Sequence, residues 1–268
     1  RLIAADPRIL AAGLTLNGGP SAARNKGFSM ARGRFVAVLD ADAAMLPDRL
    51  SLMVRQADAT GADIVVDNMV EVDGAGLRLS QTSFLTTPAF AADRTIDLAT
   101  WMAYNTPMQS GECLGYLKPL IRTSALPDDR RVYDIALRNS EDYYLIANLL
   151  ASGKRMTYIA SAGYLYTRAA GSTSFRLTPE HTRSWLDAEN RFSLAHSGGP
   201  SDAARRAASG RLRRLRHVHQ FVSATQALKS ARPAKALQWL LADFRGGIYA
   251  CGLFMRIALG KLIGRRLV

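Results

Sequence analysis

Residues 17–42, NGGPSAARNKGFSMARGRFVAVLDAD, limit the possible folds more than any other stretch, because they join a glycine-rich turn, a short helix, an apolar strand and two carboxylates. Gly18, Gly19 and Pro20 make a turn from which a helix can start, since glycine tolerates unusual backbone angles and proline suits the first helical turn. Gly33 is expected to end that helix. The unbroken apolar run over residues 35–39 predicts a strand buried on both faces of a parallel sheet, with Asp40 and Asp42 at its carboxyl end. Ligands bind at that end in open α/β sheets. Two aspartates one residue apart can share a divalent cation, since magnesium takes one or two carboxylates and leaves its other positions to substrate phosphates. Alone, Asp-x-Asp reads more often as a solvated turn.

The pattern continues beyond this stretch. Asn17, Gly19, Ala23-Arg24-Asn25, Gly27, Gly33, Leu39-Asp40-Ala41-Asp42 and Pro47 are followed by Ser140-Glu141-Asp142-Tyr143-Tyr144-Leu145, then by Tyr164-Leu165-Tyr166-Thr167-Arg168 and Gly171-Ser172-Thr173-Ser174. In these residues, their order and their spacing, the sequence resembles the inverting glycosyltransferases of family 2, which have a GT-A fold and use nucleotide sugars. The resemblance implies an α/β fold with a GT-A-like mixed, mostly parallel sheet flanked by helices, and a C-terminal helical extension. It divides the chain into a glycosyltransferase domain at residues 1–196 and an extension at residues 197–268. Family members carry a strand, a helix and a second strand before the position of Asn17. Only sixteen residues precede it here, so this chain is expected to lack those units and the acids that hold the nucleotide base and ribose.

Residue roles follow from the resemblance. Asp42 is the direct metal ligand and Asp40 contacts ribose or metal, the cofactor being Mg2+ or Mn2+. Arg24 orders the donor site, and Arg168 and Ser172 close over the diphosphate. Asp142 is the catalytic base and Glu141 orients base or acceptor. Inversion at an anomeric carbon needs a base on the acceptor hydroxyl opposite the leaving nucleotide, and a carboxylate at a helix start beside the sheet's carboxyl end can supply it. A free carboxylate, with a pKa of about 4, is ionised at neutral pH and weakly basic, so it acts late, as the diphosphate departs. Helix capping also accounts for these acids: Ser140 suits an N-cap, and the helix dipole favours negative charge in the first turn. Two departures thin the expected metal shell. Ala43 and Ala44 follow the Asp pair where many members have another acid, and Phe175 follows Ser174 where some have histidine.

Elsewhere the pattern is coarser. Residues 9–14 read as a short strand. Pro47 opens a helix with Leu50, Met53, Val54 and Ala57 on one face and Gly61 as its stop. Residues 64–66 and 69–72 read as strands before the Asp73-Gly74-Ala75-Gly76 turn, residues 93–103 as a helix and residues 111–124 as strand material. Trp101, Tyr104 and Tyr116 can stack on a sugar, but large aromatics belong more often to the core. Residues 156–160 and 163–166 read as a closing strand pair, and Thr178 and Pro179 as a helix start.

Charge separates the two ends of the chain. Of its 35 Lys and Arg and 22 acids, fourteen cations and only two acids lie at or beyond residue 201. Such a basic segment attracts nucleic acid, anionic lipid or acidic polymers. No interleaved aromatic signature for RNA is present, so nucleic acid is not the expected partner. His217 and His219 lack a third metal ligand nearby and read as surface residues. Residues 234–244 and 248–263 are apolar helical stretches interrupted by cations, too short for a spanning helix, and suit either peripheral membrane contact within residues 203–268 or packing on the core. Cys113 and Cys251 are far apart and imply no disulfide framework, consistent with a reducing, cytoplasmic setting. The resemblance makes UDP-glucose the first donor to expect, with a saccharide or polyprenyl-linked acceptor in cell-surface polysaccharide synthesis. A non-catalytic relative, a basic binding module and a nucleotidyltransferase on a similar sheet are the alternatives.

Overall fold

The β-branched run IVVDNMVEV forms the longest buried strand. In the computed structural model, which describes residues 6–108, 112–168, 177–197 and 201–262, the strands are β1 (Phe35–Ala37), β2 (Ala44–Met45), β3 (Ile64–Val72), β4 (Arg94–Ile96), β5 (Leu120–Arg122) and β6 (Met156–Thr167). The helices are α1 (Gly19–Met30), α2 (Arg49–Thr60), α3 (Leu98–Ala103), α4 (Glu141–Ala151), α5 (Pro179–Ala195), α6 (Asp202–Lys229), α7 (Pro233–Leu241) and α8 (Phe244–Leu262). The strands form one mixed sheet of order β1-β5-β3-β6-β2, with β4 also on β6. The long β3–β6 pairing is parallel, and the shorter pairings of β1 with β5, β3 with β5, β2 with β6 and β4 with β6 are antiparallel.

Several elements differ from the sequence pattern for identifiable reasons. Residues 64–66 and 69–72 are one strand, because the polar Asp67-Asn68 step is absorbed as an irregularity against β6. Asn68 satisfies itself there, donating to Leu85 O and accepting from the Leu85 and Met69 amides. The expected closing pair is likewise the single strand β6. Residues 9–14 form no strand. The helix expected at residues 93–103 starts only at Leu98, because the Asp97 side chain accepts from the Thr100 amide and caps it, leaving Arg94–Ile96 to pair with β6. The strand material of residues 111–124 shrinks to β5, flanked by 3-10 turns. β1 pairs only with β5, antiparallel, and only Val36 of its three residues is buried, so it is not the strand buried on both faces of a parallel sheet that was expected. α1 ends at Met30, three residues before Gly33. Gly61 does stop α2, with a left-handed φ of 62°.

Burial follows the apolar faces. Met53 and Ala57 of α2 pack on Val65 and Leu120. Trp101 is buried and stacked on Tyr143, which assigns it to the core. α6 packs on α3 and α5 as well as on α7 and α8, and its Ala204 and Leu215 join the main core cluster. The basic pattern of this helix is therefore only partly a solvated face. Arg211 is buried, bonded to Glu189 of α5 at 3.0 Å and to the Asn105 carbonyl, with its guanidinium 3.6 Å from the Tyr143 ring centroid. His217 and His219 are not the free surface pair expected. His219 Nδ1 lies 2.7 Å from Thr182 Oγ1, and His217 faces Asp243 at 3.4 Å.

Candidate active site

Four separate segments bring charge to one point. α1 projects Arg24, the turn after β1 holds Asp40, the residues entering β5 supply Lys118, and the first turn of α4 supplies Glu141 and Asp142. Arg24 Nη2 donates to Asp40 Oδ1 at 2.9 Å, and its Nη1 donates to Glu141 Oε1 at 2.6 Å and Asp142 Oδ1 at 3.3 Å. Lys118 Nζ lies 3.1 Å from Asp40 Oδ2 and 2.9 Å from Asp142 Oδ2. Asp40 and Asp142, a hundred residues apart in sequence, thus share the same two cations. Three carboxylates against two cations leave one formal negative charge at a place that still reaches solvent, with Asp40 21% and Asp142 15% exposed.

A buried layer fixes this cluster from below. Arg49 and Asp67 pair out of water at 2.7 Å, and Arg49 Nη2 also donates to the Lys118 carbonyl at 2.6 Å. The Arg49 guanidinium lies 5.0 Å from the Tyr164 ring centroid, and the Tyr164 hydroxyl accepts from the Asp40 amide at 3.1 Å. The Gly163 amide donates to Asp67 at 3.0 Å, and a side chain at Gly163 would have no room, since a Cβ there would meet Arg49 Cγ at 2.7 Å. On the other side Asn25 ties α1 to the loop before α4, donating to Tyr133 O and accepting from the Val132 and Tyr133 amides. Arg24 lies over the Tyr133 ring at 5.4 Å. Ser140, expected to cap α4 with its side chain, has a left-handed backbone and makes no such bond, so the first-turn acids face cations rather than serving the helix end alone.

Electrostatics follow from this packing. Burial pushes the Asp40 carboxyl up, but Lys118 and Arg24 outweigh it and hold it below the ordinary carboxylate value. Burial works against the Lys118 ammonium, yet Asp142 and Asp40 raise its pKa above the usual lysine value. Burial also pushes the Tyr164 hydroxyl up to about 12, so it stays protonated and neutral at physiological pH. Asp67 is pushed up by its burial despite Arg49, which marks that pair as one that fixes geometry at an electrostatic cost.

Of the residues predicted for the site, Arg24, Asp40, Glu141 and Asp142 come together. Asp42 lies two residues beyond Asp40 on an exposed turn and pairs with no described cation. Its charge acts on Tyr166, whose hydroxyl is raised first by burial and then by Asp40 and Asp42, against Lys118. Arg168 is outside the cluster, paired with Glu71 of β3 at 3.5 Å. Ser172 lies outside the described residues. Lys118, Tyr164 and the Arg49–Asp67 pair were not foreseen. Tyr164 sat in a recognised motif, but Lys118 lies in a short apolar run with no signal beyond a lysine entering a strand.

The donor set bears on a metal. Among the described residues no group of three His, Cys, Asp or Glu is arranged to hold an ion alone. Magnesium, however, is held by one or two carboxylates with substrate phosphates completing its shell. Asp42 fits that role. Asp40 has one oxygen on Arg24 and the other on Lys118, and offers a ligand atom only when one of those bonds opens.

Comparison with known proteins identifies the family. The family model described as Glycosyl transferase family 2 matches residues 2–124. The chain is 37% identical over 240 residues to the succinoglycan biosynthesis protein ExoO of Rhizobium meliloti (strain 1021), covering 89% of this chain and 67% of that protein. It is 36% identical over 154 residues to the succinoglycan biosynthesis protein ExoU of the same organism, covering 55% of this chain and 42% of that one. Among solved structures, S. aureus TarS 1-349 in complex with UDP is similar in fold, with a TM-score of 0.54 at 17% identity over 84% of this chain and 58% of that one. The complex of TarS 1-349 with UDP-GlcNAc gives the same TM-score of 0.54 at 18% identity, over 84% of this chain and 62% of that one. The chain therefore belongs to glycosyl transferase family 2, as a glycosyltransferase with a GT-A-like α/β fold and a helical C-terminal part.

Proposed function

We propose that this protein is an inverting glycosyltransferase that moves a hexose from a nucleoside-diphosphate sugar, UDP-glucose first, to a saccharide or lipid-linked acceptor in cell-surface polysaccharide synthesis. The observation that carries the reading is the sharing of Arg24 and Lys118 between Asp40 and Asp142. It sets the carboxylate of the donor-side turn beside the carboxylate suited to activate an acceptor hydroxyl. The names of ExoO and ExoU support the polysaccharide class, and the TarS complexes support a nucleotide-sugar donor.

In this reading Asp142 is the base and Glu141 holds Arg24 in place. A diphosphate entering the site competes with the carboxylates for Arg24 and Lys118, and each ion pair it takes over frees a carboxylate oxygen of Asp142 to accept from the acceptor hydroxyl. Asp42 would hold a divalent cation, which when bound would offset charge on the leaving diphosphate. Asp40 keeps Arg24 and Lys118 in register and would offer the metal an oxygen only if one of those bonds opened. Arg168 and Ser172 close the diphosphate side. We place the protein peripherally at the cytoplasmic membrane face, a setting supported by the basic residues beyond 201 and a lipid-linked acceptor. No helix among the described residues is long and apolar enough to cross a membrane.

The test uses protein expressed from the complete coding sequence, incubated with UDP-sugars, a membrane extract as acceptor source and Mg2+ or Mn2+. Release of UDP with transfer of labelled sugar, abolished by EDTA and by Asp42→Ala, is the expected result. Release of pyrophosphate indicates a nucleotidyltransferase and overturns the reading, as does full transfer in EDTA for the metal.

A further inference from the structure

The last two helices carry an apolar face that no described residue covers. α8 packs on α6 through Ala250 and Leu253, which meet Val218, Phe221 and Val222. On its opposite side Phe244, Ile248, Cys251 and Met255 are exposed, Phe244 at 78% and Met255 at 68%. Their spacing of four, three and four residues places them in one narrow stripe along the helix. α7 extends the exposed apolar surface with Leu237 and with Leu241, 73% exposed. A contiguous apolar stripe of this kind marks a surface for an occupant.

Charge selects the occupant. Arg245 and Arg256 are exposed, eleven residues apart and so at nearly the same angle of α8, along one flank of the stripe. Lys235 is exposed on α7. The one acid between Pro233 and Leu262, Asp243, is turned to the helix start, where it accepts from the Gly246 amide at 2.7 Å and faces His217. A second copy docked on this stripe would bring the two arginine rows together, which like-charge repulsion opposes. An anionic bilayer satisfies both features: the apolar side chains enter the headgroup–acyl boundary while the arginines reach phosphate above it.

We propose that the stripe Phe244–Ile248–Cys251–Met255, with Leu237 and Leu241, is the surface on which this protein lies on anionic lipid, with α8 in the plane of the interface. The inference rests on the peripheral location proposed above and names its contact face. It makes the Arg211-bearing part of α6, which is buried against α5, a support rather than a membrane ligand.

Cys251 provides a probe on the stripe itself. In the full chain with Cys113→Ser, which leaves one thiol, an environment-sensitive fluorophore on Cys251 should shift to the blue on mixing with vesicles of phosphatidylcholine and phosphatidylglycerol, and not with phosphatidylcholine alone. Phe244→Asp with Ile248→Asp should weaken vesicle co-flotation about tenfold or more, and Arg245→Glu with Arg256→Glu should remove its salt dependence. All four positions are exposed, so circular dichroism melts should match the parent. Unchanged flotation of either double variant overturns the proposal. So does a doubled solution mass that the Phe244→Asp/Ile248→Asp variant halves, which would give the face to a second copy. UDP release into a soluble acceptor reads the transferase separately: its absence leaves a positive vesicle result standing, and its presence does not rescue a negative one.

Discussion

Lys118 is the more deeply buried of the two cations that hold the acids of the site together. It is 8% exposed and bonded to two carboxylates. Replacing it by methionine leaves Asp40 and Asp142 facing each other with Arg24 alone, and should cost about 3 kcal/mol of stability at neutral pH, measured by urea unfolding. The pH dependence has a definite sign. The Asp40 pKa is lowered on folding, so its contribution is complete above the ordinary carboxylate value, about 4, and is lost as pH falls through the lowered one. The Lys118 pKa is raised, so its contribution is complete below about 10.4 and is lost as pH rises through the raised value. In Lys118→Met the alkaline loss should vanish and the acid limb should move to higher pH. An acid limb identical to the parent's would contradict the shared ion pairs. Arg24, Asp40, Glu141 and Asp142 were legible in sequence because each sits in a motif with a fixed distance to the next. Lys118 was not, because a strand-entry lysine looks the same whether it meets water or two aspartates.

Elements were legible where a backbone signal marked their ends, as Gly61 and Pro179 do. They were misread where a side chain decided the matter locally. Asp97 shortened a predicted helix by capping it late, and Asp67-Asn68 looked like a strand break until the structure placed Asp67 on Arg49 and Asn68 on Leu85. That polar step also links β3 and β6 to the site, because Arg49 supports both the Lys118 carbonyl and Tyr164. Gly163→Ala should therefore destabilise by about 1–3 kcal/mol, since the new methyl displaces Arg49 or Asp67, and should slow turnover as well. A neutral effect on both in paired denaturation and rate measurements would exclude the supporting layer. Arg211→Met strips Glu189 of its cation and should cost about 3 kcal/mol. Hydrogen exchange in α4 near Tyr144, whose hydroxyl donates to Glu189 at 3.0 Å, should rise with it.

At the scale of the molecule, a mixed sheet brings two motifs a hundred residues apart to the same pair of cations, and a helical tail divides its charge between core packing and an exposed face. The sequence pattern announced the clustered acids through spacing and the basic tail through composition. It did not show which tail cations are buried, since Arg211 and Arg213 of α6 differ only in the face of the helix they occupy, the first buried and the second exposed. The central claim is that Asp142 acts on the acceptor in a site it shares with Asp40. The direct measurement is steady-state UDP release by Asp142→Asn protein made from the complete coding sequence, with donor and acceptor varied. The substitution keeps the side chain's size and removes its basicity, so kcat should fall about 10²–10⁴-fold while donor KM stays within a few-fold. Turnover at the parent rate would contradict the account.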